Sequence, residues 1–178
     1  MVTFQLRRTE ASDLPVLLGW VPTWTDMVLW SGTTFHWPLD LDQLTQDLDT
    51  AAESGRILWT AVQSDGLPIG HASLTTNDDG TIGRFGRVLI NPLKRRKGYG
   101  RPLVGRSVEA GFEETGVDLM TLGVYEHNRA TRALYSELGF EETGIVFDTE
   151  VEGGTRRLIE MSCERTSFHL PGSSTAQG

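Results

Sequence analysis

The sequence predicts an α/β protein: one domain with a mixed sheet, antiparallel in its N-terminal half, holding a central parallel strand pair and flanked by helices. Three observations carry this. Apolar, partly alternating runs at 57–63, 69–75 and 81–90 are separated by Ser64-Asp65-Gly66 and Asn77-Asp78-Asp79-Gly80, which reads as an antiparallel meander. A helical run at 101–115 stands between the strands 81–90 and 119–124, and a helical crossover makes such strands parallel. Glu152-Gly153-Gly154 parts two last runs, 140–151 and 155–163, as a hairpin.

The elements follow in order. Residues 4–8 alternate and open the sheet. Residues 13–20 place Leu14, Leu17 and Leu18 on one helical face. Residues 23–37 are aromatic-rich with no clean period. A better helix follows: Asp40 is a cap, Gln43 completes a capping box, and Leu39 with Leu44 forms a hydrophobic staple. Leu41, Leu44, Leu48 and Ala51 share its face, and Gly55 stops it. In 101–115, Val104, Val108 and Phe112 recur at helical spacing before Gly116. A short helix at 130–138 ends at Gly139. The domain is expected over 1–168. The tail 169–178, ending in Pro171-Gly-Ser-Ser-Thr-Ala-Gln-Gly178, lacks apolar anchors and is expected to be disordered.

Composition narrows the function classes. The chain has 178 residues, 38% apolar and 22% charged, enough for a full core without staples. Its single cysteine, Cys163, allows no internal disulfide and fits a reducing compartment. No run of 18 apolar residues and no long apolar leader occurs, so a cytoplasmic protein with no membrane partner is expected. A net charge of −8 argues against nucleic acid as a partner. It steers a cationic ligand, or serves solubility alone.

Against this acidic background, Lys94, Arg95, Arg96 and Lys97 form a basic run before Gly98-Tyr99-Gly100. The run follows a strand and opens a helix. Glycines free backbone N–H groups to converge, and a helix N-terminus adds a favourable dipole of about 0.3–1 kcal/mol toward an anion. The segment reads as a pyrophosphate cradle. Its spacing fits neither a triphosphate-binding nor a dinucleotide-binding glycine fingerprint, since the next glycine is Gly105.

Arg95-Arg96-Lys97-Gly98-Tyr99-Gly100 resembles the (Q/R)-x-x-G-x-(G/A) signature of the GNAT N-acetyltransferase superfamily, and Val88-Leu89-Ile90-Asn91-Pro92 is similar to its fourth strand and turn. The stretch from Leu122 through Asn128 and Tyr135 to Gly139-Phe140 is similar to its second hallmark. The closing Glu160-Met161-Ser162 resembles the RimJ/RimL-type branch. Arg96 departs from the pattern, which often has glycine there.

The resemblance implies acetyl-CoA as co-substrate, no metal, and a parallel strand pair splayed for CoA. It implies that backbone groups of Val88, Leu89 and Ile90 pair with the pantetheine arm. Arg95, Arg96, Lys97, Gly98, Tyr99 and Gly100 would hold the pyrophosphate. Asn128 would anchor the pantetheine, cap the helix after it, or both. Tyr135 would be the general acid. A phenol near 10 sits above a thiol near 8.5, so hydrogen-bond donation to the developing thiolate is the easier role. An alkyl amine is neutral in only about one molecule in 2,500 at pH 7, so a base or water relay is needed. His36, Glu126, His127, Asp148 and Glu150 are weak candidates for it.

The acceptor is a small-molecule amine (antibiotic, polyamine or amino-acid derivative) or a protein N-terminus. Trp20, Trp24, Trp30, Trp37 and Phe35 offer an aromatic wall, with Asp26 and Asp40 as sources of negative charge. A non-catalytic CoA-binding module is the reading from another class. A different acyl donor, such as succinyl-CoA, would call for an extra cation near the thioester, which the sequence alone does not place. A homodimer through the C-terminal hairpin or a sheet edge is compatible with the family.

Overall fold

The computed structural model describes residues 2–170. Seven strands form one sheet: β1 (Gln5–Arg8), β2 (Arg56–Val62), β3 (Pro68–Thr76), β4 (Ile82–Ile90), β5 (Leu119–Tyr125), β6 (Glu141–Val151) and β7 (Gly154–Glu164). Their spatial order is β1-β2-β3-β4-β5-β7-β6. Only β4 and β5 run parallel; every other neighbouring pair is antiparallel. The helices are α1 (Leu14–Gly19), α2 (Trp24–Ser31), α3 (Leu41–Asp49), α4 (Gly100–Thr115) and α5 (Arg129–Glu137). The expected mixed sheet and crossover helix are therefore present.

Two apolar layers cover the sheet. On one face Val104, Val108 and Phe112 of α4 meet Phe85, Leu122 and Phe140, joined by Tyr135 and Leu138. On the other, Leu14, Leu17, Met27, Trp30 and Leu44 from α1–α3 cluster with Leu89. Burying side chains of this size stabilises by about 1.5–3 kcal/mol each.

Residues 23–37 differ from expectation, because α2 occupies Trp24–Ser31. Thr23 caps it, its hydroxyl accepting from the Asp26 backbone N–H at 3.1 Å. The period is obscured because apolar residues lie on both faces: Met27, Val28 and Trp30 are buried, Trp24 and Leu29 exposed. Asp40 caps α3 as expected, but the box is half built. The Gln43 side chain turns instead to the Pro38 carbonyl and the His36 N–H. Leu41 points to solvent rather than joining Leu44.

Strand β4 carries a bulge. Ser73 opposes Gly86 and His71 opposes Leu89, so Ala72 faces two residues, Arg87 and Val88. Arg87 takes a left-handed φ of 49°. Three residues apart, Phe85 and Val88 would face opposite ways in a regular strand. The extra residue puts both on the α4 layer and turns Leu89 to the α1–α3 layer. Parallel pairing with β5 runs from Ile82↔Leu119 to Phe85↔Leu122 and stops at the bulge.

The described chain continues past 168: the His169 N–H donates to the Leu138 carbonyl at 3.3 Å. From residue 171 on, the expected tail lies outside the described residues. Among the described residues no helix is long and apolar enough to cross a membrane.

Two outcomes follow from this packing. Gly139 has a φ of +100°, and a Cβ there would lie 2.3 Å from the Ser167 carbonyl oxygen. Gly139→Ala should cost about 2–4 kcal/mol, read as a drop in the urea midpoint. His71 is buried beside Thr9, and burial pushes its imidazole down to about 3. The unfolded chain then binds the extra proton between its ordinary 6.5 and about 3. Stability should fall with pH through that window by up to about 1.4 kcal/mol per unit. A midpoint flat from pH 7 until carboxylates titrate would show the imidazole open to water.

Candidate active site

Beyond the bulge, β4 and β5 diverge. The backbone of β4 from Gly86 to Ile90 keeps its partners on β3 but has none on β5. Likewise Gly123, Val124 and Tyr125 pair only with β7. The gap opens a cleft of about 440 Å³ between the two strand edges. Free strand edges offer N–H and C=O groups to an extended, amide-containing ligand, which can join as an added strand. Trp30 closes the other side of the bulge, its indole N–H donating to the Arg87 carbonyl at 2.8 Å.

The basic loop lies where β4 leads into α4. Arg96 and Gly98 both take left-handed backbone, with φ of 58° and 85°. Such turns gather N–H groups into an anion-binding concavity. Among the described residues no side chain caps the start of α4, whose N-cap position is Tyr99, and the space beside Gly100 is open. The 16-residue helix thus presents uncapped N–H groups and its positive end to the loop. Arg95, Arg96 and Lys97 are exposed and Lys94 half-buried around it. The φ at Arg96 is the physical reason a glycine suits that position. A diphosphate therefore fits the loop, and a thioester arm fits the strand gap.

At the far wall, Asn128 caps α5, its side-chain oxygen accepting from the Thr131 N–H at 3.2 Å. Its amide N–H groups have no partner among the described residues. Tyr135 lines the cleft and is 5% exposed, against Phe140 at 5.7 Å. Burial pushes its phenol up from the ordinary value. It therefore stays protonated, a hydrogen-bond donor rather than a base. No protein group among the described residues bonds its hydroxyl.

Several expected residues fall elsewhere. Of the tryptophans only Trp30 lines the cleft. Trp20 is buried in the α1–α3 layer, while Trp24 and Trp37 are exposed. Asp26 and Asp40 serve as helix-end groups, not as cleft charges. None of His36, Glu126, His127, Asp148 and Glu150 lines the cleft. Glu126 pairs with Arg157 at 3.4 Å, and Glu150 accepts from the Thr155 hydroxyl at 2.7 Å.

Sequence reasoning missed three arginines that do line it: Arg56, Arg84 and Arg87. Arg56 and Arg87 both bond the Asp47 carboxylate, the latter at 2.8 Å. Arg84 reaches across β5 to Glu160 at 2.8 Å. No short motif links these residues; β2, β3 and β4 bring them together. Among the described residues no cluster of His, Cys, Asp or Glu is placed to hold a metal ion.

This geometry agrees with comparison to known proteins. The acetyltransferase (GNAT) family pattern matches residues 24–140. The chain belongs to that family. A spermidine N-acetyltransferase from Vibrio cholerae, solved with CoA and spermine, superposes with a TM-score of 0.80 at 20% identity, covering 92% of this chain and 96% of its own. A chimera of that enzyme with hSSAT gives 0.78 at 20% identity over 93% and 97%. A dodecameric form gives 0.75 at 19% over 92% and 94%. At such identities the likeness is one of fold.

Replacing Arg96 by glycine should raise the stability of the unliganded protein by about 0.5–1 kcal/mol. The relieved left-handed strain of about 1–2 kcal/mol exceeds glycine's entropic cost of about 0.5–1. Thermal unfolding checks this; a lower midpoint would show that Arg96 makes a compensating contact.

Proposed function

We propose that this acetyltransferase uses acetyl-CoA to acetylate a primary amine of a small molecule by direct attack. The observation that carries the reading is the splayed β4–β5 gap, with the uncapped start of α4 at one end and the Tyr135 phenol on its wall. In this reading Arg95 to Gly100 hold the diphosphate, Val88, Leu89 and Ile90 pair with the pantetheine, and Asn128 anchors it with its free amide while capping α5.

The neutral amine attacks the thioester carbonyl. The C–N bond forms, a backbone N–H near Leu89 stabilises the oxyanion, and the C–S bond breaks. The thiolate leaves with hydrogen-bond donation from Tyr135 and ends as the thiol. The amine loses one proton before attack and one after. Among the described residues the cleft lining holds no carboxylate or imidazole, so these protons leave through water. The positive charge that Arg56 and Arg87 hold in excess of Asp47 helps, because nearby positive charge favours the neutral amine.

An antibiotic, a polyamine or an amino-acid derivative all fall within this class, and polyamine is what the superposed enzymes are named for. A protein N-terminus, as in the RimJ/RimL-type branch, is the alternative acceptor. An assembly of several copies is compatible with the dodecameric relative.

Thiol release from acetyl-CoA across amines and short peptides tests the proposal, with Tyr135→Phe alongside. The variant should lose about 10²-fold in kcat and keep CoA affinity. Its stability should be unchanged, since the hydroxyl has no protein partner. Unchanged kcat would reduce Tyr135 to packing. No release with any acceptor, despite CoA binding, would favour the non-catalytic reading.

A further inference from the structure

The cleft's charge opposes that of the protein. The chain carries −8 overall, yet the described residues that line the cleft include three arginines and no aspartate or glutamate. Arg84 is balanced by Glu160. Arg56 and Arg87 are not balanced: they share one carboxylate, Asp47, and leave one positive charge in excess. Their side chains are only 19% and 11% exposed, and the Arg56 Nε–H is buried without a hydrogen-bond partner among the described residues. A buried guanidinium donor left open is rare in folded proteins and calls for an acceptor.

The position is specific. Arg87 stands at the bulge, with its guanidinium 5.6 Å from the Phe35 ring and bonded to α3 through Asp47. It therefore sits at the α2–α3 end of the cleft, whereas Tyr135 and Asn128 belong to the α5 wall. Arg56 and Thr34 also line a second recess of about 260 Å³ beside α3, which adjoins the cleft and has Asp47 and His36 in its own wall. Thr34 and Thr75 add hydroxyls nearby.

Resting on the acyl-transfer reading above, we infer that the acceptor amine carries a carboxylate, bound at the α2–α3 end of the cleft by Arg56 and Arg87. The substrate class is an amino acid or a derivative that keeps its acid group. Guanidinium and carboxylate match in charge and in planar, two-point geometry. Anchoring the acid there leaves the amine free to face the strand gap. A polycationic acceptor would instead meet a like-charged wall.

The test compares kcat/KM, per molecule of neutral amine, for amino acids and their carboxamides, with spermidine in the same panel. The free acids should win by at least about tenfold, the equivalent of about 1.4 kcal/mol. Arg87→Gln should shrink that ratio toward one by slowing the acids more than the amides. Should that variant fail to fold, Arg56→Lys, which keeps the charge but removes the Nε donor, reads the same ratio. Equal rates for acid and amide would overturn the inference, as would spermidine exceeding every acid. Faster release from succinyl-CoA than from acetyl-CoA with an uncharged amine would place the anion on the acyl group and also overturn it. If no acceptor is turned over, acyl transfer itself fails. The inference is then read from binding of N-acetyl amino acids against their amides to the CoA-loaded protein. A preference for the acid upholds it and parity refutes it.

Discussion

The fold turns on one extra residue in one strand. Arg87 inserts a left-handed step into β4, and its freed carbonyl is taken by the Trp30 indole. That step ends the parallel pairing with β5, opens the cleft, and reverses which residues meet which apolar layer. A regular β4 would keep pairing with β5 and leave no exposed strand edges. A left-handed arginine costs about 1–2 kcal/mol. The indole hydrogen bond, the Asp47 ion pair and the Phe35 contact hold it in place.

The same residue joins structure to chemistry. Its backbone makes the gap in which a thioester arm fits, and its side chain points to the α2–α3 end, where an acceptor would lie. Asp47 ties Arg87 to Arg56, so α3 is locked to β2 and β4 through charge as well as through Leu44. Because one carboxylate serves two guanidiniums, the lock leaves a surplus positive charge inside an acidic protein. Surface net charge and site charge thus have opposite signs, and the site sign governs which ligand binds at close range.

Much of the site was legible locally. The loop from Arg95 to Gly100 and the stretch from Asn128 to Tyr135 are contiguous, and their chemistry depends on chain-local geometry: a helix start, glycine turns, an N-cap. The Asn128 cap and the strand–loop–helix order emerge as expected. The aromatic stretch misled. A short helix with apolar groups on both faces shows no period, and exposure of Trp24 and Trp37 cannot be read from residue type. Asp26 and Asp40 were likewise spent on helix ends.

By itself, the sequence determined the α/β order, the parallel crossover, the basic glycine-bearing loop ahead of a helix and the acetyltransferase family, because each rests on residues near one another along the chain. Only the tertiary structure decided where β4 bulges, since a bulge is a register between two strands. Only it gathered Arg56, Arg84 and Arg87, from two separate strands, around Asp47 and Glu160. Long-range pairing sets the charge of a cleft, and no local pattern records which distant carboxylate each arginine will find.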